Sequence, residues 1–166
     1  KKDLKKSMSI FKNELGENSV FFSYPFGEYS SEFKNIIKAL GFKYAFGQHS
    51  GVIDETKNFY ELPRFPINEK YGEIKRFKSL TKTLPFKYKE ILPAEKYLRQ
   101  DKNPPKVKIE FFENIRNLQS LNCYSNEGDR WRQSDIKFES SNKLLINISE
   151  KFVGERGRIN CSLRDP

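Results

Sequence analysis

Residues 24–27, Tyr-Pro-Phe-Gly, are the part of the sequence best suited to chemistry. An apolar run ends just before this motif, and a helical pattern begins just after it, which predicts a tight turn between a strand and a helix. Pro25 fixes its own φ and Gly27 permits an unusual one, so Phe26 is held between them in one pose. We expect such a turn to present its main-chain groups to a substrate. The alternative is an aromatic turn residue that packs on the following helix.

A second polar segment, Gln48-His49-Ser50, directly follows a strand-like run that ends at Phe46. Active sites of α/β barrels lie at the carboxyl ends of their strands. His49 is the only histidine of the chain, and imidazole titrates near neutral pH, so His49 is a candidate general acid. The alternative is a loop histidine that is hydrogen-bonded to the backbone. Gln48 and Ser50 are candidate substrate-binding residues.

Four elements would position these residues. Apolar residues at helical spacing predict a first helix that ends at Gly16, and Ser30 is the expected N-cap of a second helix. Strands are predicted over residues 19–23 and 42–46, and two strands joined through a helix favour a parallel pair. Arg64 falls on a stiff extended segment, where it could pair with a carboxylate or form a structural salt bridge.

The second part of the sequence changes character at Lys102–Pro105, where two prolines forbid a helix. Five short strand-like runs follow at spacings near ten, which is typical of an antiparallel β-sandwich; they cover residues 106–112, 118–124, 136–139, 144–149 and 157–163. The first part holds too few strands to close a barrel. The sequence therefore predicts a partial β/α barrel at residues 1–85, a linker at 86–103 and a β-sandwich at 104–166. Both ends of the chain suggest that it was cut from a longer protein, which truncates the sandwich.

Composition narrows the choice of partner and compartment. Cys123 and Cys161 both lie in strand-like runs, which favours a disulfide over two reduced thiols. The net charge of +9 comes from 31 basic and 22 acidic residues. These charges are interleaved along the chain, so we do not expect a nucleic-acid partner. A basic interaction protein of unrelated activity is an alternative function. No apolar run approaches the roughly 20 residues of a membrane span.

Three stretches taken together resemble the second half of a polysaccharide deacetylase of the NodB-homology type: Tyr24–Ser30, Leu40–Gly47 and Leu62–Pro66. The resemblance covers roughly residues 1–80, and the remainder is similar to a β-sandwich appended to some members of the family. It implies hydrolysis of N-acetyl groups on an N-acetylated polysaccharide, with a divalent metal, expected to be zinc, that activates water. It also implies a periplasmic or extracellular location in a bacterial envelope. The oligomeric state stays open.

The resemblance also implies roles for individual residues. The main-chain N–H of Phe26 would stabilise the oxyanion, and His49 would protonate the leaving amine. Arg64 would orient the catalytic carboxylate, because the arginine that many members carry before the turn is absent here. Substrate-binding residues would be Tyr24, Pro25, Gln48 and Ser50.

The metal ligands of the family precede the turn and are not in this chain, so we expect the chain alone to be inactive. An alternative function is a non-catalytic glycan-binding or docking β-sandwich attached to a barrel remnant. Tyr88, Tyr124 and Trp131 could stack on sugar rings, although core packing is the favoured interpretation of these aromatic residues.

Overall fold

The computed structural model describes residues 1–164. These residues divide into two compact units, one of Lys1–Phe86 and a second that begins at Lys87. Within residues 1–164, no helix combines the length and the apolar character needed to cross a membrane. The functions that we assigned to residues 1–85 and 104–166 stay predictions.

The first unit contains three helices and one parallel pair of strands. In chain order the elements are α1 (Lys2–Leu15), β1 (Phe21–Ser23), α2 (Ser31–Ala39), β2 (Tyr44–Phe46) and α3 (Ile74–Leu80). β1 and β2 pair in parallel, with Phe22 opposite Ala45. The predicted parallel pair is therefore confirmed.

Helix boundaries in the first unit follow local capping chemistry. α1 ends at Gly16, whose φ of 78° places it in the left-handed region, where glycine carries no Cβ penalty. α2 begins after Ser30, whose Oγ accepts a hydrogen bond from the main-chain N–H of Phe33 at 3.1 Å. Such a cap contributes about 1 kcal/mol to helix stability. Both predicted boundaries are confirmed.

The core of the first unit lies between the strand pair and its helices. Tyr24, Ile37, Phe42 and Ala45 are buried together. Leu4 and Met8 of α1, and Phe22 and Phe33 from β1 and α2, pack against this cluster. Burying each large apolar side chain contributes about 1.5–3 kcal/mol. This packing fixes the place where β1 ends and the turn begins.

The second unit is built from short antiparallel strands in two sheets. One sheet has the order β3 (Glu90–Leu92), β4 (Val107–Glu110), β8 (Lys143–Asn147) and β7 (Asp135–Ser140). The other has the order β6 (Arg132–Gln133), β5 (Asn122–Ser125) and β9 (Ile159–Ser162). Burial alternates along β4 and β5, so one face of each strand supplies the core. The buried apolar residues are Val107, Ile109, Phe111, Leu118, Leu121, Cys123, Leu144, Ile146 and Ile148.

The predicted fold class, a partial β/α barrel followed by a β-sandwich, is wrong. Residues 1–164 form three helices and nine strands in small sheets, and no barrel closes among them. After β2, Leu62 forms only an isolated parallel bridge with Phe46, because Pro63 and Pro66 cannot donate ladder hydrogen bonds. The prediction that the second unit is rich in β-strands is confirmed. Its β3 lies inside the segment that we predicted as a linker.

The predicted disulfide is confirmed. Cys123 and Cys161 are bonded, with their Cα atoms 4.1 Å apart, and the two residues lie directly opposite each other on β5 and β9. The bridge therefore joins neighbouring strands of one sheet. Cys123 is fully buried.

Candidate functional site

The turn after β1 has an unusual backbone. The main-chain N–H of Tyr24 donates to the Phe46 carbonyl of β2 at 3.0 Å, and the N–H of Gly27 donates back to the Tyr24 carbonyl at 2.8 Å. Phe26 has a φ of 56° and Gly27 a φ of 75°. A left-handed conformation costs a residue with a side chain about 1–2 kcal/mol. The turn thus holds Phe26 in a strained conformation with its ring 69% exposed.

This turn touches the loop that follows β2. A methyl group placed on the Cα of Gly27 would lie 2.5 Å from both the main-chain nitrogen and the Cβ of Gln48. No real Cβ tolerates such a distance, so only glycine permits the approach. Glycine is therefore required at position 27 for two reasons, which are the positive φ of the turn and the close contact with Gln48.

His49 lies against a second glycine. A methyl group on Gly47 would lie 2.7 Å from His49 Nδ1 and 3.2 Å from Cε1 of Tyr29. The rings of Tyr29 and His49 have their centroids 6.4 Å apart, with an angle of 56° between their planes. His49 itself is exposed. Its imidazole is thus oriented by the surface of Gly47 while it remains accessible to solvent.

Arg64 holds the same loop in place. Its Nε donates to the Gly47 carbonyl at 2.7 Å, and its main-chain N–H donates to the His49 carbonyl at 3.0 Å. The main-chain N–H of Gly47 in turn donates to the Leu62 carbonyl at 3.0 Å. Arg64 is exposed, and no carboxylate within residues 1–164 forms an ion pair with it. The structural salt bridge that we considered is absent there, and pairing with an upstream carboxylate stays a prediction.

Tyr24 supports the turn from inside. Its side chain is 1% exposed, and its hydroxyl donates to the Tyr60 carbonyl at 3.1 Å. Burial raises the pKa of Tyr24 to about 12, with smaller contributions from the charges of Glu61 and Tyr60. The phenol is therefore neutral at physiological pH. Although we predicted that Tyr24 binds substrate, the structure places its side chain in the core.

The other predicted site residues lie at the surface. Pro25, Gln48 and Ser50 are all exposed. Sequence reasoning missed Tyr29, which lies just before the Ser30 cap and carries the Lys34 ammonium 5.7 Å from its ring centroid. An aromatic residue in that position commonly packs against the first turn of the helix, and this signal was available in the sequence.

The described residues do not fit a metal site. Across residues 1–164, no group of three or more His, Cys, Asp and Glu side chains is placed to hold an ion. His49 is the only histidine. A first shell for a divalent metal needs several such donors. The expectation that the ligands belong to polypeptide outside this chain stays a prediction.

The arrangement thus combines an exposed imidazole, a strained turn and a loop fixed by a guanidinium. Comparisons with models of protein families, with curated proteins and with solved structures found no match for this chain.

Proposed function

We propose that the first unit supplies one wall of the active site of a polysaccharide deacetylase, an enzyme that hydrolyses N-acetyl groups on a glycan. One observation carries the proposal: the turn of residues 25–27 contacts Gln48, and both segments directly follow neighbouring parallel strands. The turn and Arg64 lie in two of the three stretches that resemble the family, and Gln48 directly follows the third stretch, Leu40–Gly47. A divalent metal, expected to be zinc, would be held by residues outside this chain.

Amide hydrolysis makes two demands on the residues of this wall. Attack on the acetyl carbonyl creates an oxyanion, which needs a donor that is fixed before the reaction begins. In our proposal the Phe26 main-chain N–H meets this need, since the strained turn holds the backbone in one conformation. Collapse of the intermediate then expels an amine, which must be protonated. His49 is the candidate acid because its imidazole is exposed and imidazole side chains are the commonest general acids and bases of enzymes.

Arg64 is a positioning residue in this proposal. It binds the carbonyls of Gly47 and His49 through two different donors, so it fixes the loop that carries the imidazole. The planar guanidinium has further donors, which remain suited to a catalytic carboxylate. Gln48, Ser50 and Pro25 would contact the sugar.

We further propose that the protein works in the periplasm or outside the cell. The disulfide between Cys123 and Cys161 supports this location, because structural disulfides persist in oxidising compartments. An N-acetylated envelope or matrix polysaccharide is the substrate class that fits such a location.

The first test is the reading frame that encodes this chain. We expect it to encode, upstream of Lys1, a strand with paired aspartates and a segment with two histidines at metal-ligand spacing. A frame whose protein contains no such residues would overturn the proposal.

The second test is kinetic and uses the full-length protein. Acetate release from a soluble N-acetylglucosamine oligosaccharide should lose about a hundredfold in kcat on His49→Ala, with KM little changed, and the basic limb of the pH profile should move. Gln48→Ala, on the neighbouring exposed residue, should instead raise KM. Unchanged turnover in the His49 variant would remove the acid role.

A further inference from the structure

A second surface with chemical character lies in the sheet β6–β5–β9. The strand register places Tyr124 between Gln133 on one side and Asn160 on the other. Asn122 of β5 lies opposite Ser162 of β9, two residues away from the pair formed by Tyr124 and Asn160. We name this surface the amide–aromatic face; it consists of Asn122, Tyr124, Gln133, Asn160 and Ser162.

Alternation along the strands separates this face from the core. In β5, Cys123 and Ser125 are fully buried, whereas Asn122 and Tyr124 are exposed. β9 follows the same alternation, with Asn160 and Ser162 exposed. Core packing was the favoured interpretation of Tyr124, and it is wrong, since 44% of this residue is exposed.

Trp131 extends the aromatic part of the face. It directly precedes β6. Trp131 and Gln133 are exposed while Arg132 between them is half-buried, which is the alternation expected of residues that share a side. It is 51% exposed, so core packing is the wrong interpretation for this residue too. Two large aromatic rings, Trp131 and Tyr124, are therefore accessible beside a row of amides.

The charge of the face selects its partner. All five residues are uncharged, although 32% of the chain is charged and the net charge is +9. Arg158 directly precedes β9 and Arg164 lies two residues after it, and both are exposed at positions that continue the alternation of Asn160 and Ser162. The uncharged surface is therefore bounded by one arginine at each end of this strand. A polyanion would be met by basic residues, whereas a neutral ligand rich in hydroxyl groups matches amides and flat aromatic rings. We propose that the amide–aromatic face binds a neutral glycan, with Trp131 and Tyr124 stacked on sugar rings.

The amides are already ordered for this role. Gln133 Nε2 donates to Asn122 Oδ1 at 3.1 Å, and Asn122 Nδ2 donates to the Ser120 carbonyl at 3.0 Å. Asn160 lies on β9, which the Cys123–Cys161 bridge ties to β5. Because these groups are held before binding, a ligand loses less of its affinity to their ordering. Hydroxyl and acetamido groups of a glycan can bond with both the donors and the acceptors of an amide.

The inference does not depend on the proposed deacetylase site, which is formed by residues of the first unit. A fluorescence titration tests it on the chain as it stands, because Trp131 is the only tryptophan. A soluble oligosaccharide of β-linked N-acetylglucosamine should change the Trp131 emission in a saturable way. The corresponding glucose oligosaccharide should bind more weakly if the amides read the acetamido group, and equal binding would limit recognition to the sugar rings and still support the proposal.

Variants assign the binding to the face. Tyr124→Ala should weaken binding about tenfold, the cost of losing one aromatic contact. Trp131→Ala, followed by calorimetry, should weaken it at least as much. Tyr97→Ala is the matched control, since Tyr97 is 73% exposed and lies outside the face, and it should leave binding unchanged. An unaltered melting temperature verifies that each variant is folded.

Three outcomes would overturn the proposal. The first is no saturable response to either oligosaccharide. The second is equal binding by the Tyr124 and Trp131 variants and the wild type. The third is a preference for a sulfated oligosaccharide that disappears with salt, which would show binding to the net positive charge instead. If the full-length protein released no acetate while this chain still bound the oligosaccharide, the result would count against the proposed deacetylase and not against the glycan-binding face.

Discussion

The Cys123–Cys161 bridge allows the sharpest quantitative prediction. It closes a loop with a sequence separation of 38 residues and ties β9 to β5, which is the only strand that pairs with β9 within residues 1–164. After reduction, only the pairing of four residues on each strand holds β9 against β5. We therefore expect reduction to destabilise the second unit strongly.

The magnitude follows from the size of the loop. A cross-link that closes a loop of this length removes about 13 cal/mol/K of entropy from the unfolded chain, which is about 4 kcal/mol at room temperature. With a urea dependence of about 1.5 kcal/mol per molar, the unfolding midpoint should fall by roughly 2–3 M. For a unit of this size, such a change is a large part of the total stability.

The assay is urea unfolding followed by the emission of Trp131, with and without reductant. Trp131 directly precedes β6, which pairs with β5, so its emission reports on the sheet that carries the bridge. A double variant, Cys123→Ser with Cys161→Ser, is the matched control and should unfold at the low midpoint under both conditions. An unchanged midpoint in wild-type protein whose two thiols have been titrated as free would refute the reasoning.

Three further predictions concern the first unit. Gly27→Ala should cost about 2–4 kcal/mol in thermal unfolding followed by circular dichroism, because it combines a left-handed φ with a clash against Gln48; a variant as stable as wild type would contradict the contact. Asp54 and Lys57 form an ion pair of 3.0 Å with side chains that are 4% and 7% exposed, so Lys57→Ala should cost about 3–5 kcal/mol by leaving a buried charge unpaired. Burial, the largest single influence, raises the pKa of Asp54, but hydrogen bonds from Thr56 and Lys57 outweigh it and hold the pKa below its ordinary 3.8. The stability that Asp54 contributes should therefore be complete above pH 3.8 and be lost as the pH falls toward the lower folded value, and urea midpoints of Asp54→Asn should lack this dependence.

Local structure was largely accessible from the sequence, because short-range chemistry decides it. Ser30 and Gly16 carry helix signals that depend only on neighbouring residues. Alternating burial in β4 is visible as alternating charged and apolar residues at 106–110. Leu118–Ser120 was misjudged as a strand and is a short 3-10 turn, since its apolar residues enter the core without ladder pairing.

The assembly of strands was less accessible, because it depends on long-range pairing. A strand, a turn and a helix in the first unit suggested a barrel, yet β1 and β2 have only three residues each. Whether a further strand forms beside β2 is decided at Leu62, where one bridge forms and two prolines follow shortly afterwards. The sequence showed those prolines, but the resemblance to a barrel family outweighed them in our prediction.

Two glycines explain how the candidate site is assembled and how the sequence could have revealed it. Gly27 admits the backbone of Gln48, and Gly47 admits the ring of His49, so each marks a place where another group approaches the main chain. The first was assigned to turn geometry alone, and the second received no role. Because a glycine at a strand end often signals close approach, the pair predicts contact between the turn and the loop. If larger residues at either position left both the stability and the His49 environment unchanged, the contact would not be what positions the imidazole.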